Sequence, residues 1–227
     1  MMLLPGGDER LLIFLPGFMT SADAYAGLLQ PIADTGTSVC VPQLYKRGPS
    51  ALLGKVSVSS EADAAAELVR DAARRNPRVT VYLGGHSRGG QAAWLAASRL
   101  APDLPAGLVL LDPVDGEGRN PSAPTSTASG AQVVCRTLII GAGIGGRCAP
   151  EPVNHTVFLA ATPGASHIVV EQLGHADMLT GRSRDFGRKL CPGAHDPDPG
   201  RAECSALIEG FIRGDDATNL ESLPNEQ

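Results

Sequence analysis

The stretch "VYLGGHSRGG", residues 81–90, places Ser87 inside a Gly-x-Ser-x-Gly motif directly after an apolar run. The residues that follow, "QAAWLAASRL", have the composition of a helix, so the serine stands where a strand turns into a helix. That turn is sharp, and Gly85 and Gly89 leave the space that it needs on either side of the serine. The motif therefore predicts a nucleophilic serine, and the competing interpretation is an ordinary serine in a glycine-rich turn.

The length and composition of the chain limit the classes of protein to which it can belong. Its 227 residues fit one α/β domain, expected over 1–214, with a flexible tail over 215–227. The formal net charge of −5 argues against binding to nucleic acid, whose phosphates call for clustered Lys and Arg. No run approaches the roughly 20 apolar residues of a membrane-spanning helix, and the start "MMLLPGGDER" has no basic region before its apolar residues. We therefore expect a soluble, cytoplasmic protein.

Six short apolar runs alternate with helical patterns, which is typical of a mainly parallel sheet with helices on both faces. The runs are "RLLIFLPG" (10–17), "TSVCVPQL" (37–44), "RVTVYLGG" (78–85), "GLVLLDPV" (107–114), "RTLIIGAG" (136–143) and "HIVVEQLG" (167–174). The stretch 59–75 is an alanine-rich helix, for which Ser60 is the expected N-terminal cap. The helix after Ser87 is expected to bury Trp94 and Leu95.

A histidine is needed as the base for the serine. In α/β-hydrolases the partners follow the serine in the order acid, then histidine. His175, in "VVEQLGHADML", lies just past the last predicted strand, where a loop can reach over Ser87. His86 cannot easily turn its ring onto the adjacent hydroxyl, so we expect it to pack beneath the turn. Of the other three histidines, His155 stands in a loop, His167 at the start of a strand and His195 in a polar loop.

The acidic partner has several candidates. Asp112 ends the fourth run, in "LVLLDPVDG", and the carboxyl end of a parallel strand faces the rim where open sheets bind ligands. Asp115 follows three residues later, and Glu151 comes after the fifth run, where many hydrolases carry their acid. Asp112 is favoured, with Asp115 and Glu151 as alternatives. For Asp115 and Asp177 the competing interpretation is a turn or capping carboxylate.

Two backbone N–H groups are expected to form an oxyanion hole. One belongs to the residue after the nucleophile, here Arg88, and the other to the loop after the first run, "FLPGFMTS". In that loop Gly17 lets the chain turn toward the site, so Phe18 is the expected second donor. The competing interpretation of Phe18 is that it only packs.

The stretch "GAGIGG", residues 141–146, matches the Gly-x-Gly-x-x-Gly pattern of dinucleotide sites. Such a site also needs a helix that opens directly after the glycines, so that its N-terminus faces the pyrophosphate. Pro150 and Pro152 disfavour a helix there. We therefore predict a loop without a nucleotide.

The five cysteines have no metal-finger spacing. Cys191 and Cys204 flank a polar loop, "CPGAHDPDPGRAEC", and could form a disulfide in an oxidising compartment. A metal held by cysteines and His195 is less favoured than a loop without a ligand. Cys40 and Cys135 lie in or beside apolar runs and are expected to be small core residues.

Taken together, these motifs resemble the chlorophyllase family, α/β-hydrolases that remove phytol from chlorophyll. The segments that carry the resemblance include "FLPGFMTSADAYAGLLQPIADTG", "GHSRGG", "LLDPVDG", "LIIGAGIGG", "CAPEPVNH" and "LGHADML". They run in the family's order from about residue 11 to 213. The resemblance implies the α/β-hydrolase fold, with Ser87, Asp112 and His175 as the triad. One departure is Pro16 before Gly17, where the family commonly has His-Gly.

The resemblance implies a serine esterase that hydrolyses the phytyl ester of chlorophyll, or of a related tetrapyrrole, to chlorophyllide and phytol. It needs no cofactor or metal, and the magnesium of the pigment belongs to the substrate. A general carboxylesterase or polyester hydrolase would use the same residues on other apolar esters, and a ligand-binding protein on a hydrolase scaffold is the non-enzymatic alternative. The expected partner is a small apolar ester, and peripheral contact with a membrane stays open.

Overall fold

The computed structural model describes residues 1–44, 57–116 and 123–215, and a seven-stranded sheet runs through its centre. The strands are β1 (Met2–Leu4), β2 (Arg10–Leu15), β3 (Ser38–Val41), β4 (Thr80–His86), β5 (Gly107–Leu111), β6 (Thr137–Ile144) and β7 (Ser166–Gly174). Their order across the sheet is β1-β3-β2-β4-β5-β6-β7, with β1 antiparallel to β3 and the other pairs parallel. The six predicted runs are β2 to β7, so the predicted mainly parallel sheet is confirmed.

Helices cover both faces of this sheet. Those in the described ranges are α1 (Ala26–Asp34), α2 (Val58–Arg75), α3 (Arg88–Ala97), α4 (His155–Ala161), α5 (Gly181–Arg188) and α6 (Asp198–Arg213). α1 and α6 pack on one face, and α2, α3 and α4 pack on the other. α5 buries none of its residues and contacts the 3-10 turn Ala22–Tyr25. None of the helices in these ranges is long and apolar enough to span a membrane.

The side chains of β2 show why the strand sequences are apolar throughout. Leu12 and Phe14 point into the core under α1 and α6, whereas Ile13 and Leu15 point into the core under α2 and α3. Successive side chains of a strand face opposite sides, so a strand covered on both faces is apolar at consecutive positions.

Two details of the helices differ from the prediction. Ser57, not Ser60, caps α2: its Oγ accepts a hydrogen bond from the Ser59 N–H at 3.1 Å. The helix begins at Val58, ahead of the predicted start, and this places Ser60 inside its first turn. In α3 Trp94 is fully buried as predicted, but Leu95 is only partly buried.

The described chain starts with a strand that was not predicted and ends just after a helix. β1 was not predicted, because three residues before a proline are too few for a recognisable strand pattern, and its position comes from pairing with β3. α6 ends at Arg213, and Gly214 after it has a φ of 95°, the left-handed conformation that commonly terminates helices. The tail predicted over 215–227 lies outside the described residues apart from Asp215, as does the 117–122 part of the predicted polar loop.

The disulfide joins a different pair of cysteines from the one that the sequence suggested. Cys148 is bonded to Cys191, with 5.8 Å between their Cα atoms. The pairing of Cys191 with Cys204, which the sequence allowed, is not formed, because Cys204 lies on the buried side of α6 and is completely enclosed. Cys40 and Cys135 are only partly buried, so neither is the core residue that was expected.

We expect reduction of the Cys148–Cys191 bond to lower stability, because the bond closes a loop of 43 residues and restricts the unfolded chain. A bridge of this kind contributes about 2–4 kcal/mol, which corresponds to a fall in Tm of roughly 5–15 °C for a chain of this size. The measurement is thermal unfolding with and without dithiothreitol. Cys40→Ser should keep the difference in Tm between the two conditions, and Cys148→Ser should abolish it. Peptide mapping that finds Cys191 joined to Cys204 would contradict the assignment.

Candidate active site

Ser87 sits in a strained turn between β4 and α3. Its φ of 55° and ψ of −126° are rare for a residue with a side chain. An added Cβ on Gly85 would lie 2.4 Å from the Gly89 carbonyl carbon, and one on Gly89 would lie 2.1 Å from the Leu15 carbonyl oxygen. Both obstacles are backbone atoms, so only glycine lets α3 start this close to the strands. The Gly-x-Ser-x-Gly motif is therefore explained by packing on both sides of Ser87.

Three residues predicted from the sequence meet where their strands end. His175 Nε2 lies 3.0 Å from Ser87 Oγ, and His175 Nδ1 lies 2.6 Å from Asp112 Oδ2. Ser87 follows β4, Asp112 follows β5 and His175 follows β7, so the same end of the parallel sheet presents all three. A carboxylate can only accept, so Nδ1 of a neutral His175 carries the proton and Nε2 accepts from the serine hydroxyl. This arrangement can remove a proton from Ser87.

Asp112 is held from two sides. Its backbone N–H donates to the Ile140 carbonyl at 2.6 Å, and its Oδ1 accepts from the Ala142 N–H at 3.2 Å. Its φ of 37° turns the chain sharply as it leaves β5. The carboxylate is almost completely buried, so its second oxygen stays directed at His175.

Asp115 has a different role from Asp112. Its carboxylate accepts hydrogen bonds from the Gln91 side chain and from the backbone N–H groups of Thr125, Ser126 and Thr127. Burial raises the pKa of Asp115, but the hydrogen bonds outweigh burial and leave the pKa below its usual value. The ionised carboxylate thus anchors the loop that contains Thr125, which matches the competing interpretation of a turn carboxylate.

The other two acidic candidates have surroundings of their own. Glu151 is exposed at the start of a short 3-10 turn. Asp177 is fully buried, accepts from the Gly174 and Ala194 N–H groups, and lies 3.3 Å from the guanidinium of Arg188. It therefore braces the loop after β7 instead of facing the serine.

The two predicted oxyanion donors are the residue after Ser87 and a residue in the turn after β2. Arg88 is the first residue of α3, and the N–H groups of a first turn point out of the helix N-terminus. Its guanidinium lies 3.2 Å from Glu61 on α2, so the side chain is directed toward that helix. Phe18 follows Gly17, where an added Cβ would lie 3.3 Å from Ser87 Cβ. The turn after β2 thus runs directly beside the serine.

Two buried side chains that the sequence did not assign to the site connect these loops. The Tyr25 hydroxyl lies 2.8 Å from the Gly17 nitrogen and 2.8 Å from His86 Nδ1. His86 Nε2 lies 3.1 Å from the His175 carbonyl oxygen, and the two rings are 4.6 Å apart. The sequence placed His86 beneath the turn, but nothing in it linked Tyr25 to a residue 61 positions away.

A small cavity of about 20 Å³ borders Asp112 and His175, and the Cys148–Cys191 disulfide forms part of its wall. This volume holds about one water molecule, so a large substrate would have to lie on the open rim. His155 also lines the cavity, and its Nδ1 lies 2.9 Å from His167 Nε2.

The remaining site predictions concern nucleotides and metals. "GAGIGG" is divided between the end of β6 and the residues after it, and the next α-helix begins only at His155. The loop predicted for the whole stretch is wrong for 141–144, which are in the strand. In the part of the chain that the structure describes, no group of three or more His, Cys, Asp or Glu is placed to hold a metal ion.

Comparison with known proteins gives consistent matches. The sequence profile of the chlorophyllase family matches residues 5–195. Chlorophyllase-1, chloroplastic, of Citrus unshiu is 29% identical over 233 residues, which cover 91% of this chain and 68% of that protein. Chlorophyllase-2 of Arabidopsis thaliana is 28% identical over 240 residues, which cover 92% of this chain and 76% of that protein. Among solved structures, a ferulic acid esterase from Streptomyces cinnamoneus superposes with a TM-score of 0.63 at 18% identity, covering 97% of this chain and 72% of that one, which supports the α/β-hydrolase fold.

We expect Gly89→Ala to destabilise the protein strongly, because the new methyl would force β2 and α3 apart. Overpacking of this kind costs about 3 kcal/mol, or roughly 6–12 °C in Tm. Gly145→Ala is the matched control, since its added Cβ would have no neighbour within 4 Å. Thermal unfolding of both variants is the measurement, and an unchanged Tm for Gly89→Ala would show that the close approach does not exist.

Proposed function

We propose that this chain, which belongs to the chlorophyllase family and is therefore an ester hydrolase, acts as a serine esterase. Ser87 is the nucleophile, His175 the general base and Asp112 the acidic partner. The observation that carries the proposal is the continuous pair of hydrogen-bond distances, 3.0 Å from Ser87 Oγ to His175 and 2.6 Å from His175 to Asp112.

In the first half of the proposed reaction, Ser87 Oγ attacks the ester carbonyl carbon while His175 Nε2 takes the hydroxyl proton. Asp112 accepts the Nδ1 hydrogen bond and stabilises the positive charge that forms on the imidazole. His175 then gives its proton to the departing alcohol oxygen, and the carbon–oxygen bond of the ester breaks. The acyl group is left on Ser87.

In the second half, water replaces the alcohol. His175 takes a proton from the water as it attacks the acyl carbon, and then returns that proton to Ser87 Oγ as the carboxylic acid leaves. The backbone N–H groups of Phe18 and Arg88 stabilise the negative oxygen of both tetrahedral intermediates. A single donor of this kind typically contributes about 10²–10³-fold to turnover.

The proposed substrate is the phytyl ester of chlorophyll or of a related tetrapyrrole. Family membership supports it, and so does apolar surface on both sides of the site. Met19, directly after Phe18, is 37% exposed, and Phe186 and Leu190 are each 60% exposed. Gly187, next to Phe186, packs so closely on the residue after His175 that an added Cβ would lie 2.7 Å from its methyl. An exposed apolar rim favours binding of a long, apolar ester over a polar ester.

The substrate is tested by chromatographic measurement of chlorophyllide released from chlorophyll a, with p-nitrophenyl butyrate assayed in parallel. We expect the wild type to act on both esters and Ser87→Ala on neither. Ser98→Ala, at the other end of α3, is the matched control and should keep full activity. Hydrolysis of the small ester alone would support the serine esterase but contradict chlorophyll as its substrate. Failure with both esters, together with no labelling of Ser87 by a fluorophosphonate, would favour a binding protein.

The acid is tested by comparing two isosteric substitutions. Asp112→Asn should lower kcat by about 10³–10⁴-fold, because it removes the charge that orients His175 and stabilises its protonated form. Asp115→Asn should retain most of kcat but lower Tm, because an amide cannot accept all the hydrogen bonds that hold the loop with Thr125. Both are measured by ester hydrolysis and thermal unfolding. The assignment is reversed if Asp115→Asn is the inactive variant.

A further inference from the structure

We propose that Tyr25 and His86 are positioning residues for the reaction at Ser87. Together they tie the turn that carries Phe18 to the backbone of His175. The inference rests on the serine esterase proposed above, in which that turn supplies an oxyanion donor and His175 is the base. Its basis is one buried chain of hydrogen bonds that joins two loops far apart in the sequence.

The direction of each hydrogen bond follows from its chemistry. His86 Nε2 faces a carbonyl oxygen, which can only accept, so Nε2 carries a proton. Burial, reinforced by the neighbouring His175, lowers the pKa of His86 well below its usual value, so the ring is neutral and Nδ1 has no proton. Nδ1 must then accept from the Tyr25 hydroxyl, whose oxygen accepts from the Gly17 N–H. The order of donation is Gly17, Tyr25, His86, His175.

The two ends of this chain are both backbone groups next to proposed functional atoms. The Gly17 N–H immediately precedes Phe18, the proposed oxyanion donor, and the carbonyl at the other end belongs to His175 itself. The chain therefore fixes the distance between the turn that carries the donor and the loop that carries the base. A displacement of about 1 Å in such a site can cost about 10²-fold in rate.

Neither side chain can touch a substrate. Tyr25 is fully buried and His86 is 2% exposed. Phe14 packs edge-on against Tyr25, with ring centroids 5.3 Å apart, and the His86 ring lies against His175. Their contribution must act through the loops that they hold, so they are positioning residues and not catalytic ones.

The principal test is Tyr25→Phe, which removes one hydroxyl and keeps the ring. Tyr82→Phe is the matched control, because Tyr82 is also buried and its hydroxyl donates to the Ile212 carbonyl at 2.9 Å, away from Ser87. With p-nitrophenyl butyrate we expect Tyr25→Phe to lower kcat about 10-fold with little change in KM, and Tyr82→Phe to leave both unchanged. Each variant loses one buried hydroxyl, and thermal unfolding measures how much stability each of them loses.

A second measurement separates positioning from general damage. A trifluoromethyl ketone forms a tetrahedral adduct with an active-site serine, and the adduct oxygen needs the oxyanion donors. In Tyr25→Phe the inhibition constant of the ketone should rise by the same factor by which kcat/KM falls. Tyr82→Phe should bind the ketone like the wild type, even if it is equally destabilised.

His86 is tested by a pair of substitutions. His86→Leu fills the space without a donor and should lower kcat at least as much as Tyr25→Phe. His86→Gln can again donate to the His175 carbonyl and should recover part of that loss. The double variant Tyr25→Phe/His86→Leu should be no worse than His86→Leu alone, because both changes interrupt the same chain.

The outcomes separate this inference from the proposed function. Full kcat and unchanged ketone binding in Tyr25→Phe, with an active wild type, would overturn the positioning role and leave the serine esterase intact. Additive losses in the double variant would also overturn it. A wild type that hydrolyses no ester would overturn the proposed function, and this inference with it.

Discussion

The contact between the Gly89 backbone and the Leu15 carbonyl is the constraint on which the site depends. It brings the first turn of α3 against the end of β2, and Ser87, in the turn between β4 and α3, has a positive φ. The hydroxyl is thereby raised above the ends of the strands, where groups from neighbouring connections can reach it. The packing of α3 offsets the strain of this turn, because Trp94 is fully buried in the core under α2, α3 and α4.

The loops around the serine are fixed by polar groups that have no access to solvent. Asp115 and Asp177 each hold a loop through backbone N–H groups, and Tyr25 with His86 spans two more. Buried polar groups of this kind are costly to leave unpaired, so the hydrogen bonds that they form hold these loops in place. The reacting groups therefore stand on a rigid support although all of them lie on connections, and not within strands or helices.

The sequence predicted the parts of the structure that depend on local pattern. The six parallel strands were apparent because each run is short, apolar and followed by Gly or Pro, and Ser87 stood out because its glycines are adjacent in the chain. Contacts between distant residues could not be predicted in the same way. Cys191 has one candidate partner 43 residues before it and another 13 residues after it, and the burial of Cys204 decides between them. The carboxylates of Asp112 and Asp115 point to different loops because the chain turns between them, and the spacing of the two residues in the sequence does not reveal that turn.

All the groups near Ser87 lie at one end of the strands, and this leaves the opposite end available for attachment. Residues 74–78 are exposed where α2 turns into β4, at the start of the strand that ends beside Ser87. Across the seven residues of β4, at ~3.3 Å per residue, the two ends are roughly 20 Å apart. A linker or dye joined at that turn would fix the protein to a surface with its rim facing outward, so that even a bulky, aggregated ester could approach without obstruction.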